Sequence, residues 1–167
     1  TIAPLQPPPS VTAIELPELK KSLSPWDELR AFRRLRALMR ELRPTIVLTH
    51  SSKAGVLGRA AAHLERVPII LHQVHGWSFH EGSGLGLRQA AVTLERWLGA
   101  RTDALLFVST KDIEKARHYR IGRRTQYHVV RAGIDLAKFK PATPETRLQA
   151  RELLALPDGV LVVGTVA

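Results

Sequence analysis

Two β-rich apolar runs, TIVLTH at 45–50 and PIILHQVH at 68–75, flank a segment, SSKAGVLGRAAAHLERV, long enough for one turn and one helix. Parallel strands cannot be joined by a tight hairpin and need a crossover of this length, so the stretch predicts a parallel βαβ unit. The alternation continues. GLRQAAVTLERWLGA is helical through Leu87, Ala91, Leu94 and Leu98, DALLFVS is a buried strand, KDIEKARHYRIG is a helix ending at Gly122, and YHVVRAG is a further strand. The expected architecture is α/β, a Rossmann-like open sheet, mainly parallel, with helices on both faces.

Upstream, SPWDELRAFRRLRALMRELRP carries the marks of a capped helix: Ser24 as N-cap, Pro25 at the first helical position, Asp27 near the positive end and Pro44 beyond the last turn. Leu29, Phe32, Leu35, Leu38, Met39 and Leu42 recur every three or four residues and predict one buried face. VTAIEL alternates as a short strand does, and QPPPS before it reads as a loop. After Pro141 the character changes to a linker, a short helix capped by Thr143 and Pro144, a PDG turn and the apolar run VLVVGTVA, expected to be a strand. The expected domains are therefore 1–141 and 142–167, with both ends cut; an unpaired strand at 160–166 would invite self-association.

Composition limits the function classes. The chain has 167 residues, 44% of them hydrophobic and 24% charged, which fits a folded domain with a core. No apolar run approaches the roughly 20 residues that span a bilayer, and the first ten residues lack the basic-then-apolar order of a signal peptide. There is no cysteine, which excludes disulfides and thiolate metal ligands and favours a reducing, cytoplasmic setting. The net charge of +10 favours phosphate-rich partners without choosing among them. Six arginines, Arg30, Arg33, Arg34, Arg36, Arg40 and Arg43, mark the first helix, and six Lys or Arg without an acid occupy 115–131. A solvated face and an anionic membrane surface both explain the helix; no nucleic-acid module is present, so nucleic acid is not an expected partner.

Candidate chemistry gathers where strands end, because open parallel sheets bind ligands beyond their carboxyl edges. HQVHGWSFHEG places His72, His75, His80, Trp77 and Phe79 within eleven residues. Strand alternation sends His72 and His75 to opposite faces, so they cannot share one metal ion, and HExxH is absent; no metal is expected. His72 reads as a strand histidine with a satisfied ring. His75, followed by the turn-permitting Gly76, is either a ligand contact or a histidine bonded to nearby backbone. Trp77 and Phe79 either line a groove or pack beneath the loop. In SSKAG, Ser51, Ser52 and Lys53 either meet an anion at the helix N-terminus or Ser51 or Ser52 simply caps the helix.

ELRPTIVLTHSSKAGVLGRAAAHLERVPIILHQVHGWSFHEG, TDALLFVSTKD, VVRAGIDLAKFKP and LPDGVLVVGTVA, in this order, resemble the N-terminal portion of a family 4 glycosyltransferase of the GT-B fold, closest to bacterial enzymes of polysaccharide and exopolysaccharide synthesis. The resemblance implies an acceptor-side domain without its first strand, followed by the beginning of a donor-side domain. It further implies a retaining transfer from a nucleotide-sugar, without a metal cofactor, to a lipid-linked or saccharide acceptor. The setting implied is cytoplasmic, with a peripheral position on the inner face of the plasma membrane, and the fragment alone is expected to be inactive. His75 matches the family histidine that approaches the donor sugar, and is the expected catalytic residue. HSSKAG matches the loop facing acceptor and cleft, so His50, Ser51, Ser52, Lys53 and Gly55, with Gly76, Trp77 and Phe79, are the expected substrate contacts. RAGID corresponds to a family NGID turn in which Ala132 replaces Asn. A GT-B epimerase acting on the sugar nucleotide and a non-catalytic basic domain that binds anions or nucleic acid are the rival readings.

Overall fold

The computed structural model describes residues 8–20, 24–79, 84–157 and 159–163. His80 lies outside them. Within them the chain separates into two compact units, residues 1–131 and 132–167.

In the first unit the helix α1 (Pro25–Leu42) begins as the sequence dictates: Ser24 is extended at the N-cap and its Oγ accepts from the amide of Asp27 at 3.4 Å. Four strands follow, β1 (Ile46–His50), β2 (Ile69–Val74), β3 (Ala104–Phe107) and β4 (Tyr127–Val129). They lie side by side in chain order and are all parallel. The crossovers are α2 (Ser52–Leu64), α3 (Leu85–Gly99) and α4 (Thr110–His118). The open parallel α/β sheet is thus the one that the strand and helix alternation implies.

Crossovers of one hand between consecutive neighbours all fall on the same face of a sheet, and only a reversal of strand order sends them to both, so α2, α3 and α4 share one face instead of the two expected. Thr49, Ile70, His72, Val74, Leu105 and Phe107 accordingly form the covered face. Val92 of α3 and Ile113 and Ala116 of α4 pack into one cluster with Val74, Leu105 and Phe107. α2 approaches most closely of all: a Cβ on Gly55 would collide with the ring of His72, and one on Gly58 with the methyl of Thr49. On the opposite face Ile46, Leu48 and Ile69 stay largely exposed, and Leu71 and Leu106 are half-buried.

Four further readings of the sequence need correction. Residues 11–16 form no strand, and neither do 160–163; residues 164–167 are outside the described set. Alternation marks an extended segment but supplies no partner, and a strand exists only as part of a ladder. In α3 the inward residues are Val92, Glu95 and Leu98, while Leu87 and Leu94 point outward, so the buried stripe is rotated from the one that leucine spacing suggests. α1 packs against α2, yet Leu29 and Leu42 of its expected buried face remain exposed.

The second unit holds a turn in which Asp135 Oδ1 accepts from the amides of Ala137 (2.9 Å) and Lys138 (3.2 Å). It also holds α5 (Pro144–Leu153), whose N-cap Thr143 exchanges a capping-box pair of bonds with Thr146. No residue of α5 is buried.

Candidate functional site at the carboxyl ends of the first two strands

His50 is the last residue of β1, held in the ladder opposite Gln73, and its side chain alternates with Ile46 and Leu48 onto the open face. His75 follows directly after β2. The two rings meet there, with His50 Nδ1 and His75 Nε2 3.0 Å apart. Centroids are 5.4 Å apart at a 32° tilt, so the contact is an edge-on hydrogen bond rather than a stack. Both residues are exposed. Gly76 next to His75 has φ of +133°, a conformation open to glycine and strained for any residue with a Cβ.

Ser51 joins His50 to α2 with φ 61° and ψ 166°, a region populated essentially by glycine. Its side chain makes no capping bond, so the simple cap anticipated for Ser51 is not formed. The first helical bond runs from the amide of Gly55 to the carbonyl of Ser51, which leaves the amides of residues 52–54 ahead of the ladder, at the positive end of the helix. Lys53 Nζ donates to the carbonyl of Lys20 at 2.7 Å and pairs with Glu28 at 2.8 Å. Ser52, Lys53, Val56, Leu57, Ser78 and Glu28 are among the walls of a cavity of about 250 Å³. A hollow of about 470 Å³ at the opposite edge, lined by Thr45, Pro68, Arg43 and Arg66, lies at the amino ends of β1 and β2, where ligands of such sheets do not bind.

Other expected contacts lie elsewhere. Gly55 is buried against His72, so it serves the helix-to-sheet approach and presents nothing to a ligand. Trp77 and Phe79 are 6% and 4% exposed. Their rings stack at 5.3 Å, Trp77 Nε1 donates to the carbonyl of Asp112 at 3.1 Å, and Phe79 meets Tyr119 edge-on at 5.0 Å. The two aromatics anchor the loop after β2 to α4 and the core. Among the described residues no three of His, Asp and Glu gather as metal ligands would.

Behind this rim lies a buried polar layer. Thr49 Oγ1 donates to the carbonyl of Leu71 (3.2 Å), and so accepts from His72 Nδ1 (2.9 Å). Loss of hydration on burial, reinforced by the charge of Arg59, lowers the pKa of His72 to about 3, so its ring is neutral. Arg59 Nη2 donates to both carboxylate oxygens of Glu95 at 2.9 and 2.8 Å, and its Nε to the carbonyl of Gly55 at 2.9 Å. Sequence reasoning missed this pair. The signal was available: Gly55 and Ala62 lie within about 60° of Arg59 around the helix, and small residues of that kind mark the face that touches the sheet.

An open parallel sheet with helical crossovers, and with a polar turn, a helix N-terminus and paired histidines at its carboxyl edge, is the arrangement of a Rossmann-like domain. The chain belongs to the glycosyl transferase 4-like domain family, whose profile matches residues 3–133. It is 31% identical over 144 residues to an Escherichia coli protein named UDP-Gal:alpha-D-GlcNAc-diphosphoundecaprenol alpha-1,3-galactosyltransferase, covering 86% of this chain and 37% of that one. It is also 31% identical over 134 residues to a Bacillus subtilis (strain 168) protein named EpsD and assigned as a glycosyltransferase, covering 77% of this chain and 35% of that one. The chain thus spans about a third of the length of these curated relatives.

Proposed function

We propose that this chain is the acceptor-side part of a retaining glycosyltransferase that moves a sugar from a nucleotide-sugar to a lipid-linked or saccharide acceptor in cell-surface polysaccharide synthesis, without a metal cofactor. The observation that carries the reading is the placing of His75 beside His50, above the strained Ser51 turn, at the carboxyl edge of the sheet. The name of the Escherichia coli relative, with a UDP-sugar donor and a diphosphoundecaprenol-linked acceptor, supports the substrate classes. In this reading His75 hydrogen-bonds a hydroxyl of the donor sugar, and its ring or backbone carbonyl faces the cationic charge that develops at the anomeric carbon. Ser52 and the amides at the start of α2 face the acceptor side of the same edge. In the full-length protein that carries this chain, His75→Ala should lower turnover by about 10²–10⁴-fold with little change in the melting temperature. Near-normal transfer by that variant would remove His75 from the mechanism.

The reading includes docking of α1 on anionic inner-leaflet lipid. Arg30, Arg33 and Arg34 are exposed on α1, and Trp26, 74% exposed, lies on the same side by helical spacing. Exposed arginines with an aromatic at the edge suit a lipid headgroup layer. Arg36, expected to share this task, instead donates to Glu65 at 2.5 Å, and Arg40 joins it. Among the described residues no helix is long and apolar enough to cross a membrane. At about 1 kcal/mol per arginine near an anionic surface, replacing Arg30, Arg33 and Arg34 by Ala should weaken vesicle binding by about a hundredfold at low salt. Unchanged co-sedimentation with phosphatidylglycerol vesicles would rule the docking out.

A further inference from the structure

Of the two histidines at the rim, only one stands on a rigid support. His50 belongs to β1 and is paired in register with Gln73, whereas His75 has left β2 and precedes a glycine at φ +133°. His75 is exposed, so no packing holds its ring. Its ring is bonded to that of His50, through Nε2 of His75 and Nδ1 of His50. A histidine ring with one nitrogen fixed has its orientation set and presents the other nitrogen to whatever it serves.

We propose that His50 is a positioning residue: its Nδ1 holds Nε2 of His75, so that His75 offers Nδ1 to the sugar substrate. This rests on the glycosyltransferase reading and deepens it. One proton is shared between the two facing nitrogens. When His50 donates, His75 carries its own proton on Nδ1 and is a donor to the substrate; when His75 donates from Nε2, its Nδ1 is an acceptor. A hydroxyl can answer either state, so the geometry survives both.

The atom used by His50 makes the idea sharply testable. An asparagine amide reaches about where Nδ1 of a histidine lies, and a glutamine amide about where Nε2 lies. In the full-length protein, His50→Ala should lower kcat by about tenfold to a hundredfold, by analogy with groups that orient a metal-ligating histidine, with the donor KM changed less than threefold. His50→Asn should recover most of that loss and His50→Gln should not. Recovery by Gln instead would mean that His50 meets the substrate itself through Nε2, and would overturn the proposal. Full activity of His50→Ala beside an inactive His75→Ala would also overturn it, leaving the glycosyltransferase reading intact. Nitrogen-15 spectra of the histidine rings judge the pair without any activity: the Nε2 signal of His75 should move in His50→Ala and return in His50→Asn. A signal unmoved by His50→Ala overturns the proposal even if His75 proves irrelevant to transfer.

Discussion

His72 and His75 stand three residues apart, one inside β2 and one just past it, and the structure treats them oppositely. His72 is 4% exposed, bonded to Thr49, crowded by Gly55 and close enough to Arg59 to feel its charge. His75 sits in solvent with another histidine as its neighbour. In the inner layer polar groups are paired with one another, although Arg59 Nη1 is buried without a hydrogen-bond partner, so that changing a paired member leaves its partner stranded. The rim is where the chain keeps backbone in conformations that favour glycine, at Ser51 and Gly76. Binding at the strand ends, as proposed, would need this division, because groups committed to each other inside are unavailable to a ligand.

The division is broken most directly at Glu95. Its removal leaves the Arg59 guanidinium buried at 1% exposure without a counter-charge. Glu95→Ala should therefore cost about 3–5 kcal/mol of stability, read as a large fall in the urea midpoint, whereas His75→Ala should stay within about 0.5 kcal/mol. Replacing both Arg59 and Glu95 by Met should recover most of the loss, since a matched apolar pair leaves nothing unpaired. A mild effect of Glu95→Ala would show that water reaches the layer and that inside and rim are less distinct than the geometry implies.

The titration of His72 sharpens the same contrast. Its folded pKa of about 3 lies below the unfolded value of 6.5. Between those values the unfolded chain takes up a proton that the folded chain refuses. The stability contributed is whole above pH 6.5 and is lost as pH falls towards 3, with a slope of up to about 1.4 kcal/mol per pH unit. Carboxylates also titrate in that range, so the measurement is the difference between the parent and His72→Asn, which keeps a group near Nδ1 for Thr49 and removes the titration. Equal pH slopes would mean that the ring is charged or solvated after all.

Much of this layout is legible in the sequence, for identifiable reasons. Strands and helices alternate with the lengths that parallel crossovers demand, and Ser24 with Pro25 and Thr143 with Pro144 mark helix starts because caps act through neighbouring residues alone. Period-two alternation separates His72 from His75 without any knowledge of the fold. What stays hidden depends on partners distant in sequence. The His50–His75 bond spans 25 residues and follows from the β1–β2 register. VTAIEL alternates as strands do but meets no neighbouring strand, and Glu95 turns inward only because Arg59 waits there on another helix. Trp77 and Phe79 suit a groove and a core equally by composition, and only the approach of α4 decides between them.

Gly55 tests the contact through which the inner layer meets α2. The glycine hydrogen faces the His72 ring, and an added methyl group has no room unless ring or helix moves. Gly55→Ala raises helix propensity, so a surface position would gain stability from it. Here overpacking should dominate, for a net loss of about 1–3 kcal/mol. A gain would mean that the ring of His72 has space to withdraw, and that its bond to Thr49 is dispensable.

Ser51 supplies the smallest effect and the opposite sign. Its φ of 61° with ψ of 166° costs a residue with a Cβ about 1–3 kcal/mol, and its hydroxyl makes no capping bond to offset that. Glycine removes the strain but is freer in the unfolded chain, which takes back about 0.5–1 kcal/mol. Ser51→Gly should therefore raise stability by about 1 kcal/mol, a rise of a few degrees in the melting temperature for a domain of this size. The inner layer offers no such gain, because each side chain there already answers another. Such a gain would point to a use for the Ser51 hydroxyl at the rim rather than in the fold. A fall in the melting temperature would reverse that conclusion, placing Ser51 with the structural residues and narrowing the rim to the histidine pair.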